Sequence, residues 1–525
     1  MTRRRMVGAV AVAALAVLLG GCAVAVDPAW TPPSWPDAAV ALARAPEPLD
    51  AAALERTQGG PLTGWRLRND AVGVQGRVML FSGATDIDAR LLQPLRDAVG
   101  RRSAAAGVAY TPQVFPRGTG LGDRACARGS TLAPAAEVLA DAALGPASGT
   151  GAAVVCDVVA ASGPFLGQRI RVVAGDGVSA VSDTSEIVYA NLATGESASA
   201  AELWTADAPV TLYDALVDAL RRDAGSLSLA PVAAPDDAAL AAVQAGLATA
   251  VPGDGGAFVV TLPAGFTAPE LQALGVPADP EAETVALSPA VAATVLTPFG
   301  QALGAAVAQA EPFAPPTPAP AGSVPVDCAL FPCLSLTYDD GPGPLTEGIL
   351  DAYARSGGAA TFFAMGEKAA PYGGTLRRMI AEGHLVENHT WNHPHLPTLD
   401  TPAVQRQIAD TSRALEAQTG QPVTMFRPPY GDITTRVLEA AGLPAVVWDV
   451  DTFDWQGPSS DTLLARAVDL PRPGSIVLQH DIQPITGQTI DAVLAGVRDR
   501  GFTPVTVTQL FGGRPPGPGI WRSAR

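Results

Sequence analysis

Strand and helix signals alternate along the last part of the chain, and this alternation restricts the fold more than any other feature. Short apolar runs at 333–338, 360–364 and 475–479 are separated by amphipathic stretches such as 346–356 and 401–419. Strands that alternate with helices over about 185 residues predict a parallel sheet, either open or closed into a barrel. Ligands bind beyond the C-terminal ends of the strands in both forms. The residues that follow each strand are therefore the candidates for a functional site.

Proline content suggests where this domain begins. Residues 311–326 contain six prolines and predict a semi-rigid extended linker. We therefore expect a C-terminal α/β domain over 327–513 with a tail over 514–525. The strand and helix signals over 49–310 predict an α+β accessory region of one or two small domains, with a helix that begins at Thr211. That region contains no histidine, and no group of its residues has the pattern of a catalytic site.

The N-terminus has the pattern of an export signal. Arginines at 3–5 precede an apolar run from Met6 to Leu19 and then Gly20-Gly21-Cys22, which predicts a signal peptide over 1–22. Its end resembles a bacterial lipobox, in which the cysteine is lipidated and becomes the mature N-terminus. An uncleaved anchor is the alternative, because the apolar run continues to Val26. A Pro- and Ala-rich spacer follows over 23–48. We expect the bulk of the protein outside the cytoplasm, anchored to the outer face of the membrane by the lipid.

The other cysteines agree with export. Four remain after Cys22, and they form two local pairs, Cys126 with Cys156 and Cys328 with Cys333. Disulfides persist in oxidising compartments, so we expect both pairs to be bonded. A zinc site and free buried thiols are the alternatives.

The charge balance excludes one class of partner. The chain has 51 acidic and 34 basic residues, a net charge of −17. No basic patch of the size that nucleic acid requires is visible. We therefore expect no DNA or RNA partner.

Carboxylates and imidazoles follow the early strands of the C-terminal domain. Asp339 and Asp340 precede Gly-Pro, a pattern that alone indicates a turn. His389 and His393 are four residues apart, so on a helical turn both face one way and can hold one ion. Two histidines at this spacing, with no third ligand, are more often ordinary surface residues than a metal site. With a strand-end carboxylate, however, the pair has the composition of a catalytic zinc site, with three protein ligands and an open position.

Three more segments follow later strands, and each has an ordinary alternative. Arg427, in a Pro-Pro-Tyr turn, either binds a carboxylate with its guanidinium fork or is solvated. Asp454 either orients another group, with Trp455 beside it as a pocket wall, or belongs to an ordinary loop. His480 ends a late strand and is either a site residue or a buried core histidine.

Together and in this order, the segments resemble the NodB-homology polysaccharide deacetylases, carbohydrate esterase family 4. The five motifs of that family are Thr-Phe-Asp-Asp-Gly, His-x3-His, Arg-Pro-Pro-Tyr, Asp-x2-Asp-Trp and Leu-x-His. All five are present here, with Tyr338 in place of the usual phenylalanine. The resemblance covers about residues 327–510 and implies a distorted (β/α) barrel.

The resemblance also implies a role for each motif residue. Asp339 is the general base, and Arg427 restrains it. His480 is the general acid, and Asp454 adjusts its acidity. One divalent metal, usually zinc although cobalt can substitute, is bound by Asp340, His389 and His393. The backbone N–H of Tyr430 stabilises the oxyanion, and Trp455 and Leu478 enclose the acetyl methyl group.

These roles lead to an expected function. A metal-activated water hydrolyses the acetamide of an N-acetylated sugar, and the products are acetate and a free amine. No organic cofactor is required. Because a tethered enzyme outside the membrane faces the cell wall, peptidoglycan is the expected substrate. The alternatives are another glycan, such as chitin oligomers or acetylated xylan, and a wall-binding or sensing lipoprotein.

Overall fold

The computed structural model describes residues 39–56, 62–81, 83–176, 178–226, 228, 230–275 and 281–525. The predicted signal peptide with Cys22, and residues 23–38 of the predicted spacer, lie outside this range. Within it, no helix combines the length and apolar character that a membrane span needs.

The accessory region is built on two sheets, as an α+β region requires. The larger sheet has the order β2-β3-β4-β5-β6-β7 and the smaller has the order β1-β10-β9-β8. Among the described residues of this region, every strand pairing is antiparallel except that of β3 with β4. The elements are, in chain order, β1 Val40–Leu42, α1 Ala51–Arg56, β2 Leu62–Asn69, β3 Val74–Phe81, α2 Thr85–Ala106, α3 Ala135–Ala140, β4 Gly151–Ser162, β5 Phe165–Gly175, β6 Ala180–Asn191, β7 Glu196–Ser199, α4 Ala208–Asp223, α5 Asp237–Leu247, β8 Val251–Pro252, β9 Phe258–Leu262, α6 Pro269–Ala273, β10 Glu283–Leu287, α7 Pro289–Val295 and α8 Pro298–Ala308.

Each accessory sheet has its own core. Helix α2 packs on the larger sheet through Leu91 and Leu95, which are buried. A Cβ at Gly76 of β3 would lie 2.5 Å from Cδ1 of Leu95, so the glycine allows the helix to approach this closely. Helix α4 covers the smaller core, and it begins at Ala208 with a proline in its first turn. The predicted start at Thr211 was therefore wrong by one turn, because Pro209 favours the first helical positions.

The C-terminal region forms a parallel sheet that curves toward a barrel, which confirms the predicted fold class. The strand order is β13-β12-β11-β16-β15, with β17 paired to the start of β11. Single-residue bridges through Phe426 carry the pairing from β13 to β14. The elements are β11 Cys333–Asp339, α9 Thr346–Ser356, β12 Thr361–Ala364, α10 Gly366–Ala369, α11 Gly373–Ala381, β13 Leu385–Asn388, α12 Thr401–Thr419, α13 Thr435–Ala441, β14 Ala445–Val446, β15 Val450–Asp451, α14 Ser460–Leu464, β16 Ile476–His480, α15 Pro484–Asp499, β17 Thr503–Pro504, α16 Val507–Leu510 and β18 Ile520–Trp521.

Residues near the C-terminus take part in this sheet. Strand β18 pairs in parallel with β14, and Ser523 bridges to Ser475 just before β16. Residues 514–525 thus include a strand that lies beside the barrel.

The Pro-rich segment 311–326 contacts both neighbouring regions. Glu311 O accepts a hydrogen bond from Gly163 N of the accessory region. At the other end, Gln509 donates to Ala321 O and Val324 O.

Both predicted cysteine pairs are disulfide-bonded, with S–S distances of 1.91 Å for Cys126–Cys156 and 2.08 Å for Cys328–Cys333.

Candidate active site

The motif residues converge at one edge of the barrel because each follows the C-terminal end of a parallel strand. Asp339 ends β11, and His389 directly follows β13. His480 ends β16, and the turn that contains Asp454 follows β15. Parallel strands bring their C-terminal ends to a common edge, so residues far apart in sequence become neighbours.

Asp339 is held by a buried arginine. Nη1 of Arg427 donates to Oδ1 of Asp339 and to the Thr337 hydroxyl, both at 2.8 Å. The rest of the guanidinium donates to the carbonyls of Val446 and Val447. Burial lowers the pKa of Arg427, and the carboxylate of Asp339 opposes that effect. A fully buried cation whose donors meet oxygen acceptors keeps its partner carboxylate in place.

Asp340, His389 and His393 offer three ligand atoms that all lie within 4.8 Å of one another. Oδ1 of Asp340 lies 3.4 Å from Nε2 of His389 and 3.6 Å from Nε2 of His393. Nδ1 of His389 lies 2.8 Å from the Arg427 carbonyl, which can only accept, so the proton sits on Nδ1 and the lone pair of Nε2 faces the cluster. Burial raises the pKa of Asp340, but this effect is outweighed. The contact with His389 and the charges of His389, His393 and His480 lower the pKa to about 2.

The His-x3-His segment is a loop, so the prediction of a helical turn was wrong. Thr390 has φ 66° and His393 has φ 59°, values that a right-handed helix excludes. The side chain of Asn388 holds the turn, because its Oδ1 accepts from Thr390 N at 2.7 Å. The two imidazoles still face each other, with ring centroids 5.0 Å apart.

Left-handed backbone conformations are concentrated at this site. Of the six non-glycine residues with positive φ in the described ranges, five belong to the motif segments, namely Asp340, Thr390, His393, Tyr430 and Phe453. Each costs about 1–2 kcal/mol relative to an ordinary conformation. The surrounding structure offsets this cost, as the hydrogen bond from Thr390 N to Asn388 shows.

His480 is paired with a fully buried carboxylate. Its Nδ1 lies 2.8 Å from Oδ1 of Asp454, and its backbone N–H donates to Oδ2 at 2.7 Å. Burial lowers the pKa of His480, but the hydrogen bond and charge of Asp454, together with Asp339 and Asp340, raise it to about 9. His480 is thus an imidazole whose protonated form is stabilised and whose Nε2 remains available.

The predicted pocket residues lie around these groups. Leu478 is buried and two residues before His480 on β16, so both side chains lie on the same face of the sheet. The ring of Tyr430 packs edge-on against His393 at 4.6 Å and is 64% exposed. Trp455 is also more than half exposed. A leucine and two aromatic residues thus lie next to the polar groups, at His480, His393 and Asp454.

Two supporting residues could not be identified from the sequence. The Thr486 hydroxyl in the first turn of α15 donates to Oδ2 of Asp454 at 2.6 Å, and no motif precedes it. Asp481 is buried, and its carboxylate accepts from the Thr346 hydroxyl at 2.5 Å. Burial raises the pKa of Asp481 to about 7. Its position beside His480 at a strand end was the one available signal.

Comparison with known proteins agrees with this geometry. A family model described as "Polysaccharide deacetylase" matches residues 328–445, a range that includes Arg427 but ends before Asp454 and His480. A chitooligosaccharide deacetylase of Rhizobium leguminosarum bv. phaseoli is 46% identical over 156 residues, which are 29% of this chain and 68% of the relative. The chain belongs to the polysaccharide deacetylase family.

Other members are similar over the same part of the chain. The peptidoglycan-N-acetylglucosamine deacetylase PgdA of Listeria monocytogenes is 38% identical over 180 residues, 34% of this chain and 39% of the relative. This polysaccharide deacetylase therefore spans about two-fifths of the length of the first curated relatives that it matches. The structure of peptidoglycan deacetylase PdaC from Bacillus subtilis has 36% identity and a TM-score of 0.34, and it covers 35% of this chain and 92% of that one.

Proposed function

We propose that this protein is a metal-dependent hydrolase that removes N-acetyl groups from amino sugars of peptidoglycan. The observation that carries the proposal is the meeting of three units at one barrel edge: the Asp339–Arg427 pair, the Asp340–His389–His393 group and the His480–Asp454 pair. Relatives named for the deacetylation of peptidoglycan and of chitooligosaccharides support an N-acetylated glycan as the substrate.

The three-residue group fits a divalent cation. Oδ1 of Asp340 is buried and has no hydrogen-bond partner among the described residues, although it faces two imidazole nitrogens. A buried carboxylate oxygen without a donor is costly unless a cation binds it. Two imidazoles and one carboxylate suit zinc, and we propose zinc as the native metal with cobalt as a substitute. When bound, the cation supplies a Lewis acid for the acetamide carbonyl and lowers the pKa of a water.

Asp339 serves as the general base in this scheme. Arg427 hydrogen-bonds to Oδ1, which leaves Oδ2 to accept the proton of the attacking water. The carboxylate is almost completely buried, so its position is fixed by the protein and does not depend on solvent. The Tyr430 N–H is then the donor for the oxyanion that forms on the acetyl carbon.

His480 serves as the general acid. Its Nδ1–H donates to Asp454, so the proton available for transfer is on Nε2. An amine leaves poorly unless it is protonated, and His480 gives its Nε2 proton to the departing nitrogen. Trp455 and Leu478 border the space in which the acetyl methyl group would lie.

The proposal extends to the cellular location. Two disulfides are typical of an oxidising compartment, and the predicted lipidation at Cys22 would hold the enzyme at the outer face of the membrane. Peptidoglycan is the N-acetylated glycan available there.

The test is mass spectrometry of peptidoglycan fragments after incubation with the purified protein and zinc. We expect fragments that have each lost an acetyl group, together with free acetate. Asp339→Asn is the matched control, since it keeps the shape of the side chain but removes the base. Unchanged fragments with the zinc-loaded protein would contradict the proposal.

A chitooligosaccharide is the second candidate substrate, because the relative with 46% identity carries that name. Incubation of the same protein with chitotetraose separates the two readings. Deacetylation of chitotetraose combined with inactivity on peptidoglycan fragments would favour the second candidate.

A further inference from the structure

A groove of about 800 Å³ begins at the loop between the two site histidines and runs along α12. Asn392 and Pro394, which flank His393 on both sides, are part of its lining. Trp391, Ala403, Arg406 and Gln407 are among its other lining residues. The groove therefore borders the loop that carries the proposed metal ligand His393, and none of the motif roles uses its lining residues.

The aromatic wall of the groove is held in place by its surroundings. Trp391 is 38% exposed, and a Cβ at Gly366 would lie 2.5 Å from its Cε3, so the indole rests directly on the start of α10. The backbone N–H of Trp391 donates to Oε1 of Gln407 at 2.7 Å, and Nε2 of Gln407 donates to Oδ1 of Asn392 at 2.9 Å, so both residues of the loop are tied to α12. A fixed, partly exposed indole offers a flat apolar surface to a ligand at low entropic cost.

The groove also carries an uncompensated cation. Three charged residues line it, and Arg413 is paired with Asp410 on the same helix. The guanidinium of Arg406 has no hydrogen bond or ion pair among the described residues, and the residue is exposed. In a chain with a net charge of −17, an unpaired arginine beside an indole favours an anionic ligand.

We infer that this groove binds a carboxylate-bearing stretch of the glycan substrate, with a sugar ring against Trp391 and the carboxylate at Arg406. The inference rests on the proposed function and adds a preference for acidic glycans over neutral ones. In peptidoglycan, the carboxylate comes either from the stem peptide or, once the peptide is removed, from the lactyl group of the muramic acid residue. Chitooligosaccharides have no such group.

The test measures kcat/KM for acetate release from three glycans of equal length. These are peptidoglycan fragments with stem peptides, the same fragments freed of peptide, and neutral chitotetraose. The variants are Arg406→Gln and Arg406→Glu, with Arg377→Gln as the matched control because Arg377 lies on α11 outside the groove and pairs with Gln418. Metal content and circular dichroism show whether each variant is folded and loaded.

We expect Arg406→Gln to lower the ratio of acidic to neutral kcat/KM about fivefold, the upper range for one exposed charge pair, and Arg406→Glu to lower it further. Added salt should reduce the wild-type preference, because exposed charges are screened. Arg377→Gln should leave the ratio unchanged. If the preference falls only for the peptide-bearing fragments, the stem peptide is the source of the carboxylate. If it falls for both acidic fragments, and by at least as much without the peptide, the lactyl group is the source.

Equilibrium binding separates this inference from the proposed function. Calorimetry with the acidic fragments does not require turnover, so weaker binding by Arg406→Glu supports the groove even if no acetate is released. Equal binding and an unchanged substrate ratio for Arg406→Glu, in a folded and metal-loaded protein, would overturn the inference while deacetylation stands.

Discussion

Asp339 and His480 occupy directly opposed positions on neighbouring parallel strands, β11 and β16. Two residues earlier in each strand, Thr337 opposes Leu478 in the same register. Because opposed residues on neighbouring strands point to the same face, the proposed base and acid lie on the same side of the sheet. Each is fixed by a different partner, Arg427 for Asp339 and Asp454 for His480. The register of one strand pair thus places both proton-transfer groups.

The first prediction concerns the proposed acid. His480→Ala should slow amide hydrolysis by about 10²–10⁴-fold, the usual contribution of a positioned acid or base. An activated aryl acetate should suffer far less, since its leaving group departs without a proton. Acetate release from both substrates is the measurement. Equal losses on the two substrates, with metal content intact, would show that His480 does not act as the acid.

The second prediction concerns the pH dependence of the rate. The pKa of His480 is raised to about 9. The imidazole needed as the acid is therefore fully protonated at a pH below the ordinary histidine pKa, and the proton is lost as the pH rises through about 9. A bound dication opposes the proton and moves this limb to lower pH. Asp454→Asn removes the carboxylate that stabilises the imidazolium, so the alkaline limb of kcat/KM should shift further, by more than about one pH unit. An unchanged alkaline limb in this variant would contradict the pairing as the cause.

The third prediction distinguishes metal binding from proton transfer. His393→Ala removes one of the three proposed ligands and should strongly weaken zinc binding, which calorimetry or metal analysis after dialysis measures. Asp339→Asn should retain the metal but lose acetate release, because Asp339 is proposed as the base. Chelation should abolish activity, and zinc should restore it. Full activity without bound metal would exclude the assignment of Asp340, His389 and His393.

The sequence predicted the barrel well where apolar runs and turns are sharply separated. The predicted runs 333–338 and 475–479 correspond to β11 and β16 within a residue or two. Residues 446–450 also read as a strand from the sequence, but the structure divides them between β14 and β15. Between the two strands, Trp448 packs over Arg427, and Asp449 accepts hydrogen bonds from Ser475 and Ile476. The sequence of this segment predicts neither contact, because Arg427, Ser475 and Ile476 are all distant from it along the chain.

The docking of the accessory region is also beyond sequence reasoning. Residues 113–124 follow the barrel surface at the end of α15. There the Phe115 N–H donates to the Arg500 carbonyl, and Nε of Arg500 donates to the Phe115 carbonyl. Arg117 forms a two-point ion pair with Asp469. These partners are more than 350 residues apart, and the loop has no periodic pattern that would mark it as a contact surface.

The fourth prediction tests how much this docking contributes to the stability of the barrel. Arg124 is 4% exposed, and its guanidinium donates to the carbonyls of Arg498 and Phe502 and to the Thr503 hydroxyl. Arg124→Ala removes the donor to the buried Phe502 carbonyl and all three of these contacts, which should lower the free energy of unfolding by about 2–3 kcal/mol. Urea denaturation followed by tryptophan fluorescence measures the change.

The matched control for that prediction is Arg128→Ala, four residues further along the same segment. The Arg128 side chain is 55% exposed and pairs with Glu47, which is more exposed still, so its loss should cost less than about 1 kcal/mol. Both substitutions remove one arginine from the accessory region and differ chiefly in whether the guanidinium reaches the barrel. If the two variants unfold at the same urea concentration, the contact with residues 498–503 does not stabilise the barrel, and the accessory region is only tethered to it.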